Sequence, residues 1–184
     1  MRFSLVRIAR ALLVTMLMVL PAFAVLPVSF VGATNDPTEP LGSDVAATWT
    51  VTNAKTYVNG YINLTGNLIV QTGGNLTLNN TKLWMNCASR GQYYIEVQSG
   101  GAMHVINGAN ISAKNPANEY YITIKPGGKF YVRNSFINNH GSLQPIWGMY
   151  IQSNDVVITN SVMYDGLYGI YVDGASPQID NNTF

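Results

Sequence analysis

This sequence predicts an all-β fold, a parallel β-helix of about five coils with three short strands per coil, preceded by an export segment. Three observations point there: a repeat anchored on Gly-Gly pairs, aliphatic columns that alternate with outward residues within it, and one asparagine at a fixed place in every unit. Val70-Gln71-Thr72-Gly73-Gly74, Val97-Gln98-Ser99-Gly100-Gly101 and Ile124-Lys125-Pro126-Gly127-Gly128 recur at intervals of 27 residues. Ile151-Gln152-Ser153-Asn154-Asp155 follows after another 27, and Val172-Asp173-Gly174-Ala175 after 21. Units of unequal length that keep the same anchors imply a constant core with loops of variable size.

The first element in the chain is 1–33. Arg2, Arg7 and Arg10 precede an apolar run from Ala11 to Leu20, the basic and hydrophobic regions of a secretory signal. Ala22-Phe23-Ala24 and Val31-Gly32-Ala33 each place small residues where cleavage needs them. Left uncut, Ala11 to Ala33 would be long enough to anchor in a bilayer, which takes about 20 residues. Pro21 and Pro27 suit a cleavage region better than a membrane helix. The rest of the chain is expected to be secreted or at the cell surface, touching the membrane only through this segment.

With 10 Lys plus Arg against 9 Asp plus Glu, and only 10% charged residues, the chain has no basic excess with which to bind nucleic acid. Low charge with abundant Gly, Asn, Tyr and Thr also excludes a coiled coil or helical bundle. Cys87 is the only cysteine, so no intramolecular disulfide forms and packing must supply the stability.

Residues 34–44 carry Pro37, Pro40 and Gly42 among polar residues and read as a flexible linker. Residues 45–63, with Trp49, Val51, Val58 and Tyr61 as apolar anchors, are expected to cap the stack, because a bare end coil exposes an unpaired sheet end. Residues 64–184 form the β-helix.

Within each unit, Leu68, Ile95, Ile122, Met149 and Ile170 make one inward column, and Val70, Val97, Ile124, Ile151 and Val172 make another two residues on. Outward types lie between them, which is the alternation of a strand. After the turn, Leu78, Val105, Val132, Ile158 and Ile179 supply a third column. A last strand supplies Leu83, Ile111, Ile137, Met163 and Phe184, with one residue inserted before Ile111. Asn80, Asn107, Asn134, Asn160 and Asn181 stand between these strands. Asparagine tolerates the left-handed backbone of a tight corner, and its amide can donate to and accept from the asparagine about 4.8 Å above and below, building a structural ladder. The coil end at Phe184 is expected to be open, continued by further coils or covered by a second copy. The sequence assigns no oligomeric state.

An aromatic column, Tyr93, Tyr120, Trp147 and Tyr168, precedes the first strand, and is read first as a stack at a corner or inside the coil. Tyr150 and Tyr171, on the alternate face, are better placed to meet sugar rings.

Gly169-Ile170-Tyr171-Val172-Asp173-Gly174-Ala175-Ser176-Pro177-Gln178-Ile179-Asp180-Asn181-Asn182-Thr183-Phe184 resembles the repeat of right-handed parallel β-helix proteins of the pectin-lyase-like superfamily, nearest the subgroup of NosD-like copper-binding proteins and carbohydrate-binding proteins and sugar hydrolases. The earlier unit Gly66 to Leu78 resembles the first coils of large microbial cell-surface β-helix proteins. The resemblance covers about Leu64 to Phe184. It implies a right-handed, single-stranded β-helix and says little about activity.

Hydrolases of this class are expected to use clustered carboxylates, and lyases Ca²⁺-bound carboxylates with a basic residue. Asp155, Asp165 and Asp173 are the candidate catalytic acids, although Asp165-Gly166 and Asp173-Gly174 are also ordinary turn dipeptides. Gln71, Gln98, Lys125, Gln152 and Asp173 form one column beside the turn and read as a solvated polar stripe. His104 should face outward between inward Met103 and Val105, while Met85, Cys87 and His140 fall in loops, so no metal site is expected. No cofactor is expected either, with Ca²⁺ entering only in the lyase alternative. Five Asn-x-Ser/Thr sequons, starting at Asn63, Asn75, Asn79, Asn110 and Asn181, coincide with what β-helix corners use anyway.

The first functional expectation is therefore an exported, cell-surface scaffold that binds glycans or a cell-envelope component, with Tyr150, Tyr171, Trp84 and Trp147 as contact residues. An extracellular polysaccharide lyase or glycoside hydrolase, with its catalytic coils partly or wholly past residue 184, is the alternative. A NosD-like copper protein ranks third.

Overall fold

The computed structural model describes residues 37, 41–141, 148–167 and 169–184; the segment 1–33 expected to direct export, most of the expected linker, Trp147 and Tyr168 lie outside the described residues. Strands occur in threes, with no helix among the described residues. The first coil is β1 (Leu41–Val45), β2 (Trp49–Val51) and β3 (Ala54–Val58), and the second is β4 (Tyr61–Leu64), β5 (Leu68–Val70) and β6 (Asn75–Asn79). The third comprises β7 (Lys82–Met85), β8 (Tyr94–Val97) and β9 (Ala102–Ile106), and the fourth β10 (Asn110–Ala113), β11 (Tyr121–Ile124) and β12 (Lys129–Arg133). The fifth has β13 (Phe136–Asn138), β14 (Met149–Ile151) and β15 (Val156–Thr159), and the sixth β16 (Val162–Tyr164), β17 (Ile170–Val172) and β18 (Gln178–Asp180).

Like pairs with like. The first strands of the coils form one six-stranded sheet, the second strands another and the third strands a third. Every strand pairing is parallel. This is a parallel β-helix, and the expected columns are its registers. Leu68, Ile95, Ile122, Met149 and Ile170 stand on one another in the second sheet, and Leu78, Val105, Val132, Ile158 and Ile179 in the third. Inward residues from the three sheets make one continuous core, with Phe130, Tyr120 and Trp49 its largest fully buried side chains.

The stack begins earlier than expected and has six coils. Residues 45–63 are regular strands in register with the next coil, and β1 starts at Leu41, inside the expected linker. Val45, Trp49, Val51 and Tyr57 fill the same inward positions as their successors, so the packing that holds the later coils holds this one. Tyr57 Oη reaches back to donate to the Pro37 carbonyl at 2.7 Å.

At the other end Phe184, expected inward, is 70% exposed, because no described strand lies beyond β16, β17 and β18 to cover it. Met85, expected in a loop, is the last residue of β7 and fully buried; Cys87, two residues on, is buried as well.

The corners follow from local chemistry. Between second and third sheets, an added Cβ on Gly101 would lie 2.5 Å from the Val70 carbonyl oxygen of the coil below, and one on Gly74 would lie 2.2 Å from that of Val51. Only glycine lets the coils approach this closely. Between third and first sheets, Asn80, Asn107, Asn134, Asn160 and Asn181 all adopt positive φ, joined by Asn59 in the first coil.

The amide ladder is partial. Asn80 Nδ2 donates to Asn59 Oδ1 at 2.8 Å, and Asn181 Nδ2 to Asn160 Oδ1 at 2.5 Å. Asn107 Nδ2 turns instead to Asn79 Oδ1 at 3.1 Å, in the coil where the inserted Gly108 packs against Asn80 Oδ1. Backbone conformation, rather than an unbroken side-chain ladder, is the common demand at this corner. Buried hydroxyls follow the asparagine: Ser135 Oγ and Ser161 Oγ each donate at 2.8 Å to the carbonyl two residues back, and Thr81 Oγ1 does so at 3.0 Å.

The remaining corner, between first and second sheets, carries the long loops of the third, fourth and fifth coils.

Candidate functional site

The alternation that buries one side of the second sheet turns the other side to solvent. Along its middle run Thr50, Ile69, Glu96, Thr123, Tyr150 and Tyr171, in register. One step before Ile95 and Ile122 stand Tyr94 and Tyr121, whose rings stack at 5.2 Å and 25°. Tyr150 and Tyr171 lie 5.6 Å apart at 32°. Tyr150 and Tyr171, expected on the outward face, are neighbours there in adjacent coils.

The column Gln98, Lys125, Gln152 and Asp173 flanks these rings, its first two members contacting Glu96 and its last two bonded to Tyr150. Gln98 Nε2 donates to Glu96 Oε1 at 2.8 Å, and Lys125 Nζ lies 3.8 Å from Glu96 Oε2. One pair of coils further on, Tyr150 Oη donates to Asp173 Oδ2 at 2.5 Å, and Gln152 Nε2 reaches Tyr150 Oη at 3.0 Å and Asp173 Oδ2 at 3.2 Å. The stripe first read as merely solvated is thus two organised polar clusters, each bridging adjacent coils beside an aromatic pair.

The hydrogen bond from Tyr150, with that from Gln152, holds the Asp173 carboxyl below its ordinary range, while the same bond raises Tyr150 above the usual phenol value. Burial, then the neighbouring Tyr94 and Glu96, raises Tyr121 likewise. Around neutrality Asp173 is an ionised acceptor and the phenols are donors. A carboxylate so held is a poor general acid.

Stacking along the coil axis gives each tyrosine a ring neighbour, so the outward-facing parts are ring edges and hydroxyls. Recognition on this surface runs through hydroxyl, amide and carboxylate groups with aromatic edges between them.

Other expected site residues lie elsewhere. Trp84 is on the outward side of the first sheet, 5.3 Å from Tyr61 at 43°, in a cleft of about 480 Å³ shared with Asn59, Asn80, Lys82 and Gly108. Asp155 sits at the corner before β15, its N–H donating to Ser153 Oγ at 3.2 Å. Asp165 takes positive φ at the corner after β16. No hydrogen bond joins any two of Asp155, Asp165 and Asp173 among the described residues. His104 faces outward as expected and stacks on Tyr131.

Sequence reasoning passed over Tyr94, Tyr121 and Glu96 as contact residues. The two Tyr-Tyr pairs, 93–94 and 120–121, carried the signal: Tyr120 points inward, with Tyr93 packed against the core, so Tyr94 and Tyr121 must point out. It also passed over Glu119, which the long loops bury to 6% exposure with Arg90 Nε 3.0 Å from its Oε2. The Gly91 N–H, donating to the Glu119 carbonyl at 2.7 Å, ties the same two loops together. Among the described residues no three His, Cys, Asp or Glu side chains converge as metal ligands would, and no helix is long and apolar enough to cross a membrane.

Compared with protein-family models, curated proteins and solved structures, the chain has no match.

Proposed function

We propose that this chain is the β-helix portion of an exported, cell-surface scaffold that binds glycan along the outward side of its second sheet. One observation supports it above the others: the Tyr150, Gln152, Asp173 and Tyr171 cluster, where donors and acceptors are held in place by one another before any ligand arrives. Prior ordering lowers the entropy lost on binding. Coils follow one another every 4.8 Å or so, comparable with the length of one pyranose unit in an extended glycan, so each rung can meet a successive sugar. The sequence adds the export signal, and the right-handed sense is the one that nearly all parallel crossovers take.

The test is binding to a glycan array and to insoluble polysaccharides, with Tyr150→Ala, Tyr171→Ala and Asp173→Asn variants. Loss of binding in all three, with Trp84→Ala unchanged, is the expected result. Binding unchanged by all three substitutions rules this face out.

Nothing in the placement of Asp155, Asp165 and Asp173 favours cleavage by this chain, since Asp173 is engaged as an acceptor and Asp165 lies at a different corner.

A further inference from the structure

The third sheet carries a cluster that glycan binding on the second sheet does not use. Its outward positions on β12 are Lys129, Tyr131 and Arg133, in register with Ala102, His104 and Ile106 of β9. His104 and Tyr131 stack at 4.8 Å and 25°, and with Ile106 and Arg133 they line an open cleft of about 420 Å³.

The charge around this cleft is one-sided. Arg133 has no ion pair among the described residues, whereas Arg90 and Lys125 are matched with Glu119 and Glu96. On the far side of β9, β6 turns out only Asn75, Thr77 and Asn79; on the far side of β12, β15 turns out Val157 and Thr159. Asp155 precedes β15 at the Lys129 end, about 13 Å along the strand from Arg133 at 3.3 Å per residue. Asp180 of β18 faces outward in the same row as Arg133, two strands away at about 4.8 Å per strand, and accepts from Gln178 Nε2 at 2.7 Å. A guanidinium beside an imidazole, with no carboxylate on either strand flanking the pair, leaves a place for an oxyanion.

We propose that this cleft binds the sulfate or phosphate ester of an acidic glycan, with the Arg133 guanidinium taking the oxyanion and the His104 imidazole donating to it. An open cleft whose one aliphatic wall is Ile106 suits a sugar rather than an acyl chain. The site stands independently of the reading of the second sheet.

Binding should be linked to proton uptake. In the free protein, burial first and the Arg133 charge second hold His104 below its ordinary value, so near neutrality it is uncharged. A bound oxyanion offsets the Arg133 charge and favours the imidazolium, so affinity rises as pH falls.

The experiment follows the imidazole signals of the full chain, which has only 2 histidines, during titration with glucose 6-sulfate, glucose 6-phosphate, glucose and inorganic phosphate. The sulfate ester keeps one charge throughout, so its pH dependence reports the protein alone. Expected are a shift of the His104 signals by either or both esters but not by glucose, and a roughly tenfold tightening of ester binding from about pH 7.5 to about pH 5, the equivalent of a one-unit rise in the His104 pKa. A response to one ester only identifies which oxyanion is taken. Arg133→Gln should abolish the response, and Lys82→Gln, on the first sheet, should not. Silence of His104 towards both esters, the same response in Arg133→Gln, or a pH-independent affinity overturns the proposal. So does an inorganic phosphate response equal to that of the esters, since the sugar would then contribute nothing.

Discussion

His140 makes this fold acid-sensitive in a way that one substitution should remove. Its imidazole is 2% exposed, and among the described residues neither ring nitrogen has a hydrogen-bond partner. It bridges to Tyr120 through the backbone, abuts Gly166, and lines a cavity of about 170 Å³ with Tyr164 and Asp165, while Gly141 beside it packs on the Glu119 carboxylate. Burial lowers its pKa from 6.5 to about 4.

A base depressed in this way binds its proton more readily unfolded than folded. The folded state therefore keeps its full stability above about pH 6.5 and loses it as pH falls towards 4. A fall from 6.5 to about 4 corresponds to a loss of about 3 kcal/mol, of which about 2.5 kcal/mol is gone by about pH 4.5. His140→Leu removes both the titration and two unsatisfied buried nitrogens. At neutral pH it should cost nothing or stabilise by about 1 kcal/mol. Urea unfolding followed by tryptophan fluorescence at about pH 7.5 and about pH 4.5 measures both terms. Wild type should lose about 2.5 kcal/mol more than the variant between the two conditions. Equal losses in the two proteins would refute the reasoning and move the acid sensitivity to other groups.

Two further outcomes follow from the corners. Gly101→Ala sets a Cβ 2.5 Å from the Val70 carbonyl and should destabilise by roughly 1–3 kcal/mol in thermal unfolding, whereas Gly169→Ala, which would meet nothing within 4 Å among the described residues, should change stability by less than about 0.5 kcal/mol. Asn80→Ala puts a side chain with no stabilising amide at φ 47 and should cost about 1–2 kcal/mol, while Asn80→Gly, which loses the same bond to Asn59 without the steric penalty, should cost less.

Much of the architecture was legible because a β-helix repeats its own environment. An inward residue of one coil sits on the inward residue of the next, so Leu68, Ile95 and Ile122 must be alike, and the spacing of 27 is the length of one turn. Gly74 and Gly101 repeat for an equally local reason, the approach of a carbonyl from the coil below. The first coil was harder to see because its corner before β3 has Thr52 and Asn53 in place of the glycine pair that anchors its successors. Its inward residues nevertheless keep the same phase.

The candidate sites divide along the same line. Period two alone places Tyr150 and Tyr171 together on an outward face, and places His104 outward between Met103 and Val105. That Trp84 belongs to a different sheet also follows from its strand. Which side chains bond across coils does not: Asp173 is an ordinary turn residue until Tyr150 and Gln152 of the previous coil donate to it, and Arg133 is an ordinary surface charge until no neighbouring strand supplies a carboxylate. The burial of Glu119 and His140 was equally hidden, because it comes from loops of unequal length folding over one another. The sequence by itself determined the coil, its columns and its corners, since each depends on a residue and its counterpart one turn away. Only the tertiary structure decided the charge partners, the buried imidazole and the outward clusters, since these depend on the irregular residues that repetition does not constrain.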